Sequence, residues 1–352
     1  MDALILNANR EAIAVLDTFG SFIWTDRYIG QGDCEVYLPC TPNALETLQI
    51  GYYFQIRSSP RLMLIDKLEI ITDPIDGDRL KVSGLSLESI LNRRIIWDFT
   101  TIEGNFQEGI RKLLNENVIS APLAARRIPG FTFNASTDPK ITALTIDTQL
   151  HGEDLYETIF SLCQERRVGF RVLPNGATGY IFELYNGEDR SLDQTVNSTV
   201  IFSPQFDNLI TSNYLESTRA FKNVTLIGGE GEGAERRTAI FGEASGLERR
   251  EVFTDTNVSS KLEDDEIMPD AEYIQQLQQK GKEELATFAI TKAFEGEVDA
   301  THQFVYDVDF HIGDIVQVMN EYGKTAKARV SEVIRSHDTT GETMIPTFTF
   351  SE

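Results

Sequence analysis

A chain of 352 residues is long enough for two or three domains of ordinary size, and for a core that needs no disulfide framework. With 41% hydrophobic and 25% charged residues, the composition is that of a folded soluble protein rather than a disordered one. Its 55 acidic and 32 basic residues leave a net charge of −23, which argues against a groove for nucleic acid and against docking on an anionic membrane.

The chain opens with strands. Residues 21–29, 34–38 and 52–57 are aromatic and β-branched and are bounded by Gly20, Gly30, Gly32, Pro39 and Gly51. Thr41-Pro42, followed by Leu45 and Leu48, predicts a short helix before the third of them. Residues 62–71 then run through Asp73-Pro74-Ile75-Asp76-Gly77 into the strict alternation of Arg79 to Ser83. Proline and Asp-Gly supply turn dihedrals, so this is a hairpin.

After Gly84 the period changes. Ser86 stands where an N-cap belongs, ahead of Leu87, Ile90, Leu91 and Ile95. Asn105, with Glu108 three residues on, predicts a second helix whose Phe106, Ile110, Leu113 and Leu114 form one apolar stripe. A third helix repeats that spacing with Leu155, Ile159, Leu162 and Cys163, ends near Gly169, and feeds a hairpin of residues 170–173 and 180–185 around Pro174-Asn175-Gly176. Residues 85–195 thus read as a small α+β unit.

From about residue 196 strands return. Asn223–Ile227 and Arg237–Phe241 flank a glycine-rich turn at 228–233. Residues 228–272 carry five basic against thirteen acidic side chains, so this stretch is expected to be exposed and mobile. A helix from about Ala271 should turn Ile274, Leu277, Leu285 and Phe288 inward. A β meander closes the chain. Tyr306, Val308, Phe310 and Ile312 alternate with Asp307, Asp309 and His311, and strands at 315–319, 327–335 and 344–350 follow.

Candidate chemistry is thin. Cys34, Cys40 and Cys163 are too few for a staple framework and read as buried free thiols in a reducing cytosol. The apolar run Leu4-Ile5-Leu6 is too short for a signal-peptide core, and no stretch approaches the ~20 residues of a membrane span. The sequons at Asn134, Asn197, Asn223 and Asn257 are therefore expected to stay unglycosylated, in a chain made and folded in a cytoplasm. A phosphate loop must open into a helix, whereas residues 228–233 lead into strand and carry Glu230 and Glu232. Gly323-Lys324-Thr325 imitates the end of such a loop, but Val318 stands where its leading glycine belongs. Asp307, Asp309 and His311 would share one face of a strand, as metal ligands or as any solvated face would. The acids after His151-Gly152 are explained by a helix start. No nucleophile–base set can be proposed, so catalytic, cofactor and metal residues are all expected to be none, and a structural or assembly role suits such a chain.

The run Phe19-Gly20-Ser21-Phe22-Ile23-Trp24-Thr25 with Arg27-Tyr28, then Gly32-Asp33-Cys34-Glu35-Val36-Tyr37-Leu38-Pro39, resembles the N-terminus of long-tailed phage tail-hub proteins. Gly84 to Ile96 resembles the strand-to-helix segment that follows in siphophage members. The ending, Phe310 to Val316, Asn320 to Lys324, Ala328 to Val333 and Pro346 to Phe348, is similar to the family's closing barrel. The resemblance implies an α+β, β-rich fold with two barrel-like domains of the tube type, at 1–84 and 196–352. A peripheral α+β domain at 85–195 and an acidic insert at about 228–290 complete it.

It also implies a homotrimeric hub at the tail tip of a virion, whose six alike modules seat on the sixfold tail tube. The implied partners are tail-tube, tape-measure and tip or receptor-binding proteins, with no nucleic-acid site and no membrane anchor. The acidity would then line a channel for passing DNA or simply solvate an outer face. Two other readings stand beside it. One is a tail-associated wall hydrolase with a carboxylate pair. The other is a carbohydrate-binding adhesin using Trp24, Trp97 or Tyr322, although both tryptophans lie in apolar segments that read as core.

Overall fold

The computed structural model describes residues 2–73, 77–209, 211, 213–261, 266–295, 303–323 and 325–350. Alternation in the first third does produce strands: β1 (Ala3–Leu6), β2 (Ala12–Leu16), β3 (Ser21–Arg27) and β4 (Asp33–Pro39). The Thr41 hydroxyl accepts a bond from the Ala44 amide at 3.1 Å and Pro42 presets the first turn, which gives the short helix α1 (Pro42–Thr47). Then come β5 (Tyr53–Ile56), β6 (Met63–Asp73) and β7 (Gly77–Ser86). The predicted turn residues Pro74 to Asp76 lie outside the described residues.

The middle of the chain builds a second core. A 3-10 turn over Leu87–Arg93 stands where a helix was expected, and Ser86 does not cap it, because its hydroxyl accepts the Gly32 amide at 2.7 Å instead. Next are β8 (Thr100–Asn105), α2 (Phe106–Leu114), β9 (Phe131–Asn134), α3 (Pro139–Thr142) and β10 (Thr145–Leu150). The unit ends with α4 (Leu155–Arg166), β11 (Gly169–Asn175) and β12 (Gly179–Tyr185). Asn105 caps α2 through the Glu108 amide and Asp154 caps α4 through the Glu157 amide. Phe106, Ile110, Leu113, Ile159, Leu162, Phe170 and Phe182 are buried together between the helices and the small sheets β10-β8 and β11-β12-β9.

The last part contains β13 (Ile201–Phe202), β14 (Asn213–Ser217), β15 (Val224–Gly228), β16 (Thr238–Phe241), β17 (Glu251–Asp255), α5 (Asp270–Thr287), β18 (Thr291–Glu295), β19 (Ile315–Met319), β20 (Thr325–Asp338) and β21 (Gly341–Phe350). Two expectations are corrected here. Residues 228–272 are not merely an exposed stretch: β16-β15-β17 pack on α5 around Ile227, Ala239, Val258, Met268, Tyr273 and Leu277. The buried face of α5 is Tyr273, Gln276, Leu277 and Gly281, so Ile274 points outward. Gly281 is small because a Cβ there would meet Ile227 and Thr225 at 2.7–2.8 Å.

The second correction concerns residues 306–312, which form a turn rather than a strand. Asp307 adopts φ +65° there, which buries Tyr306 and Phe310 while Val308 projects into solvent. Trp97 is likewise exposed rather than core.

The two β-rich regions are joined in one sheet with the path β14-β18-β21-β20-β3-β4-β7-β6-β5-β1-β2. Among the described residues no sheet closes on itself within the single chain. Within that path a pattern repeats. The five strands β3 to β7 stand in the order first-second-fifth-fourth-third, and so do β14, β18, β19, β20 and β21, every neighbour being antiparallel.

The two long hairpins agree residue by residue. β6–β7 has three pairs, an extra residue at Asp66, then seven pairs ending at Asp73↔Gly77. β20–β21 has three pairs, an extra residue at Ser331, then seven pairs ending at Asp338↔Gly341. Likeness stops at the flank, where β1 runs antiparallel to β5 but β13 runs parallel to β19.

Candidate assembly site

The two repeats meet along one seam. Glu332 to Asp338 of β20 pairs antiparallel with Ser21 to Arg27 of β3, with Arg335 opposite Trp24 and Val333 opposite Asp26. Asp26 shares the inward face of β3 with Phe22 and Trp24, and all three are buried. A buried carboxylate must be fully partnered, and this one is. Its oxygens accept from Arg335 Nη1 at 2.7 Å, from Trp24 Nε1 at 3.1 Å and from the Ser59 hydroxyl at 3.1 Å. Arg335 also donates to the Ser58 carbonyl and lies over the Tyr306 ring. One carboxylate thereby ties the first repeat to the second.

The same polar core reaches the α+β unit. Arg61 donates to the Arg27 carbonyl at 2.6 Å and stands 3.2 Å from Glu88, whose other contact is the Val172 amide. Burial alone would lower the Arg61 guanidinium, but the Glu88 charge, with Tyr185 and Asp26 behind it, raises it above the ordinary arginine range. Burial pushes the phenols of Tyr28, Tyr185 and Tyr306 upward. Tyr28 fixes the far side: its hydroxyl bonds the Asn186 side chain at 2.9 Å and its ring fills the space that glycine leaves at 169 and 313. A cavity of ≈ 370 Å³ between Asp26, Arg61, Tyr185, Tyr306, Asp307 and Asp314 lies at this three-way junction.

The sequence motifs do not converge there on a reactive group. Asp307 faces Arg335, the Asp309 carboxylate accepts the Val305 amide, and the three residues Asp307, Asp309 and His311 lie on a turn instead of one strand face. His151 stacks on Phe99. The glycine-rich run is the hairpin between β15 and β16, and Glu230 is held by Ser259 and Ser260. Lys324 lies outside the described residues. Cys34 and Cys163 are buried, and burial pushes both thiols up, so neither is a thiolate at neutral pH. No group of three or more His, Cys, Asp or Glu side chains converges as metal ligands would, among the described residues. No described helix is long and apolar enough to cross a membrane.

Asp26, Arg335, Arg61 and Glu88 escaped sequence reading. The available signal was parity: an acid two residues beyond Trp24 and four beyond Phe22 must face the same way, hence inward.

The repeats differ in how their outer edges are covered. The outer side of β20 is used twice, by β19 before the bulge and by β3 after it. The outer side of β6 is used by β5 before the bulge, and among the described residues no strand lies beyond it after the bulge. There Ile70 and Ile71 are 56% and 40% exposed. β14, which matches the buried β3, ends the sheet path among the described residues, with Tyr214 at 41% and Leu215 at 48%.

A sequence profile for siphovirus ReqiPepy6 Gp37-like proteins matches residues 2–348. The chain belongs to that family. The resemblance read from the segments at 19–39, 84–96 and 310–348 thus extends over the whole chain, with the siphovirus assignment it carried. Solved structures similar to this chain include tail proteins. The tail protein of Neisseria meningitidis MC58 superposes with a TM-score of 0.58 at 12% identity, over 99% of this chain and 96% of that one. Prophage tail protein gp18 of Listeria monocytogenes EGD-e gives 0.56 at 12%, over 99% and 94%. The 43 kDa tail protein of prophage MuSo2 from Shewanella oneidensis gives 0.56 at 12%, over 99% and 98%. No curated protein matches the chain.

Proposed function

We propose that this family member is a structural hub of the siphovirus tail tip, acting as a homotrimer that adapts threefold symmetry to a sixfold tube. One observation carries the reading: five strands in the same order, with a bulge in the same place, occur twice in one chain. Two alike modules per chain make six in a trimer, which matches a sixfold tube edge without sixfold copies of the chain. Each module offers an open five-stranded sheet that would become part of a closed wall only in assembly, which is where the barrel-like character would lie. The α+β unit at 85–195 and the module at 218–290 would project outward, available to tip or receptor-binding proteins, while the tape-measure protein would meet the lumen.

Size-exclusion chromatography with light scattering tests this. A mass of three chains is expected, alone or on addition of the tube protein. A chain that stays monomeric or dimeric in both conditions overturns it. The hydrolase reading predicts clearing on cell-wall zymograms, and the structural reading predicts none. The exposed Trp97 favours the adhesin reading, but the Arg126 guanidinium covers its ring at 5.0 Å from the centroid, so sugar stacking would first have to displace a cation.

A further inference from the structure

The register of the internal seam can be transferred to the two edges that no strand covers among the described residues. The two long hairpins align residue for residue, so Glu332, Val333, Ile334, Arg335 and Ser336 of β20 correspond to Lys67, Leu68, Glu69, Ile70 and Ile71 of β6. Pairing of β18 with β21 and of β4 with β7 fixes the other correspondence, so that Ile23, Trp24, Thr25, Asp26 and Arg27 of β3 match Asn213 to Ser217 of β14. β20 and β3 are occupied by each other. β6 and β14 of one copy stand seven inter-strand steps apart in the sheet, roughly 34 Å, so they do not meet within a chain.

We infer that residues 67–71 of β6 pair antiparallel with β14 of a neighbouring copy, in the register of the internal seam: Lys67 opposite Ser217, Leu68 opposite Glu216, Glu69 opposite Leu215, Ile70 opposite Tyr214, and Ile71 opposite Asn213. The occupant is a second copy of this chain, and the inference rests on the trimer reading. The pairing covers the exposed apolar side chains of both edges. Ile70 lies directly against the neighbouring copy's Tyr214, and Ile71 lies diagonal to its Leu215. It also removes two strand edges that would otherwise be open to indiscriminate pairing. The contact is head-to-tail, so it closes into a ring when the rotation per copy allows and otherwise grows into a filament.

Cysteine pairs read the register. In a Cys40→Ser background, with Cys34 and Cys163 buried, the matched pairs Ile70→Cys/Tyr214→Cys and Ile71→Cys/Asn213→Cys are compared with the offset pair Ile70→Cys/Asn213→Cys. All four positions are on the surface, so the variants keep the fold. One of the matched pairs is necessarily the narrow, non-hydrogen-bonded kind that a disulfide can span. Mild oxidation should give a covalent ladder ending at three chains for at least one matched pair and none for the offset pair, whose residues face opposite sides of the sheet. A wild-type trimer with no ladder from either matched pair, or with an equal ladder from the offset pair, overturns the strand pairing and leaves the trimer standing. A chain that is monomeric by light scattering, with or without tube protein, and forms no ladder overturns both.

Discussion

The strands β3 and β14 hold the same place in two repeats, yet one is among the most deeply packed segments of the chain and the other is exposed along most of its length. Their positions correspond pair by pair: Trp24 with Tyr214, Asp26 with Glu216. What separates them is the neighbour. β3 has β20 beside it and has recruited a tryptophan and a fully bonded buried carboxylate, while β14 carries a smaller aromatic ring whose hydroxyl donates to the exposed Glu216. Burial in a sheet is decided by what lies on the next edge, and the same strand order can carry either outcome.

The sharpest way to break this comparison is at its two acids. Asp26→Ala takes from the buried Arg335 its 2.7 Å carboxylate, while Arg61 keeps Glu88, and should cost about 3–5 kcal/mol in urea unfolding. Glu216→Ala should change the dilute chain by less than about 0.5 kcal/mol. Equal effects would mean that the seam is not what holds the repeats together. The aromatic positions give a second contrast. Trp24→Ala should cost about 3–5 kcal/mol, by removing a large side chain from a closed core, against less than about 0.5 kcal/mol for Tyr214→Ala in the same assay.

A smaller effect is expected at Gly84. This residue corresponds to the buried Phe348, but a Cβ on Gly84 would stand 2.7 Å from the Leu64 carbonyl oxygen. Gly84→Ala should destabilise by about 1–3 kcal/mol, read as a shift of the thermal midpoint, because a carbonyl of a paired strand has little room to move.

The smallest effect concerns the end of the second hairpin. The Thr340 hydroxyl and amide hold the Asp338 carboxyl below the usual carboxylate range. Its folded value therefore lies below its unfolded one. The stabilisation is present above the unfolded value, ~3.9, and fades as pH falls through the folded value. Asp338→Asn should separate from wild type in urea midpoint above that range and converge with it below. A constant offset at every pH would assign the effect to packing instead.

Much of the local structure could be read from the sequence, because local rules governed it. Asn105 with Glu108, Asp154 ahead of Leu155, and Thr41-Pro42 are caps whose partners lie within three residues. The glycine-rich hairpin was set by what followed it, a strand and not a helix. Two alike modules were implied by the family resemblance, but the residues themselves hide the repeat because strand pairing is a backbone property: Gly84 stands where Phe348 does, and Trp24 where Tyr214 does, so no shared residue pattern survives. Alternation misled at 306–312, where one left-handed residue, Asp307, turns the chain while leaving Tyr306 and Phe310 in phase. The acidic count at 228–272 described a surface and concealed the small core under it around Tyr273.

The first hairpin of each repeat differs most in its connection. β3 and β4 are joined by the five residues 28–32, whereas β14 and β18 are joined by the seventy-three residues 218–290. Loop-closure entropy grows only with the logarithm of length, so this enlargement costs about 2.4 kcal/mol as a flexible tether, and less once the excursion carries a core of its own. That spot is a socket. The small closure cost predicts that excursions of other lengths can be exchanged there while the five-strand framework beneath keeps its pairing.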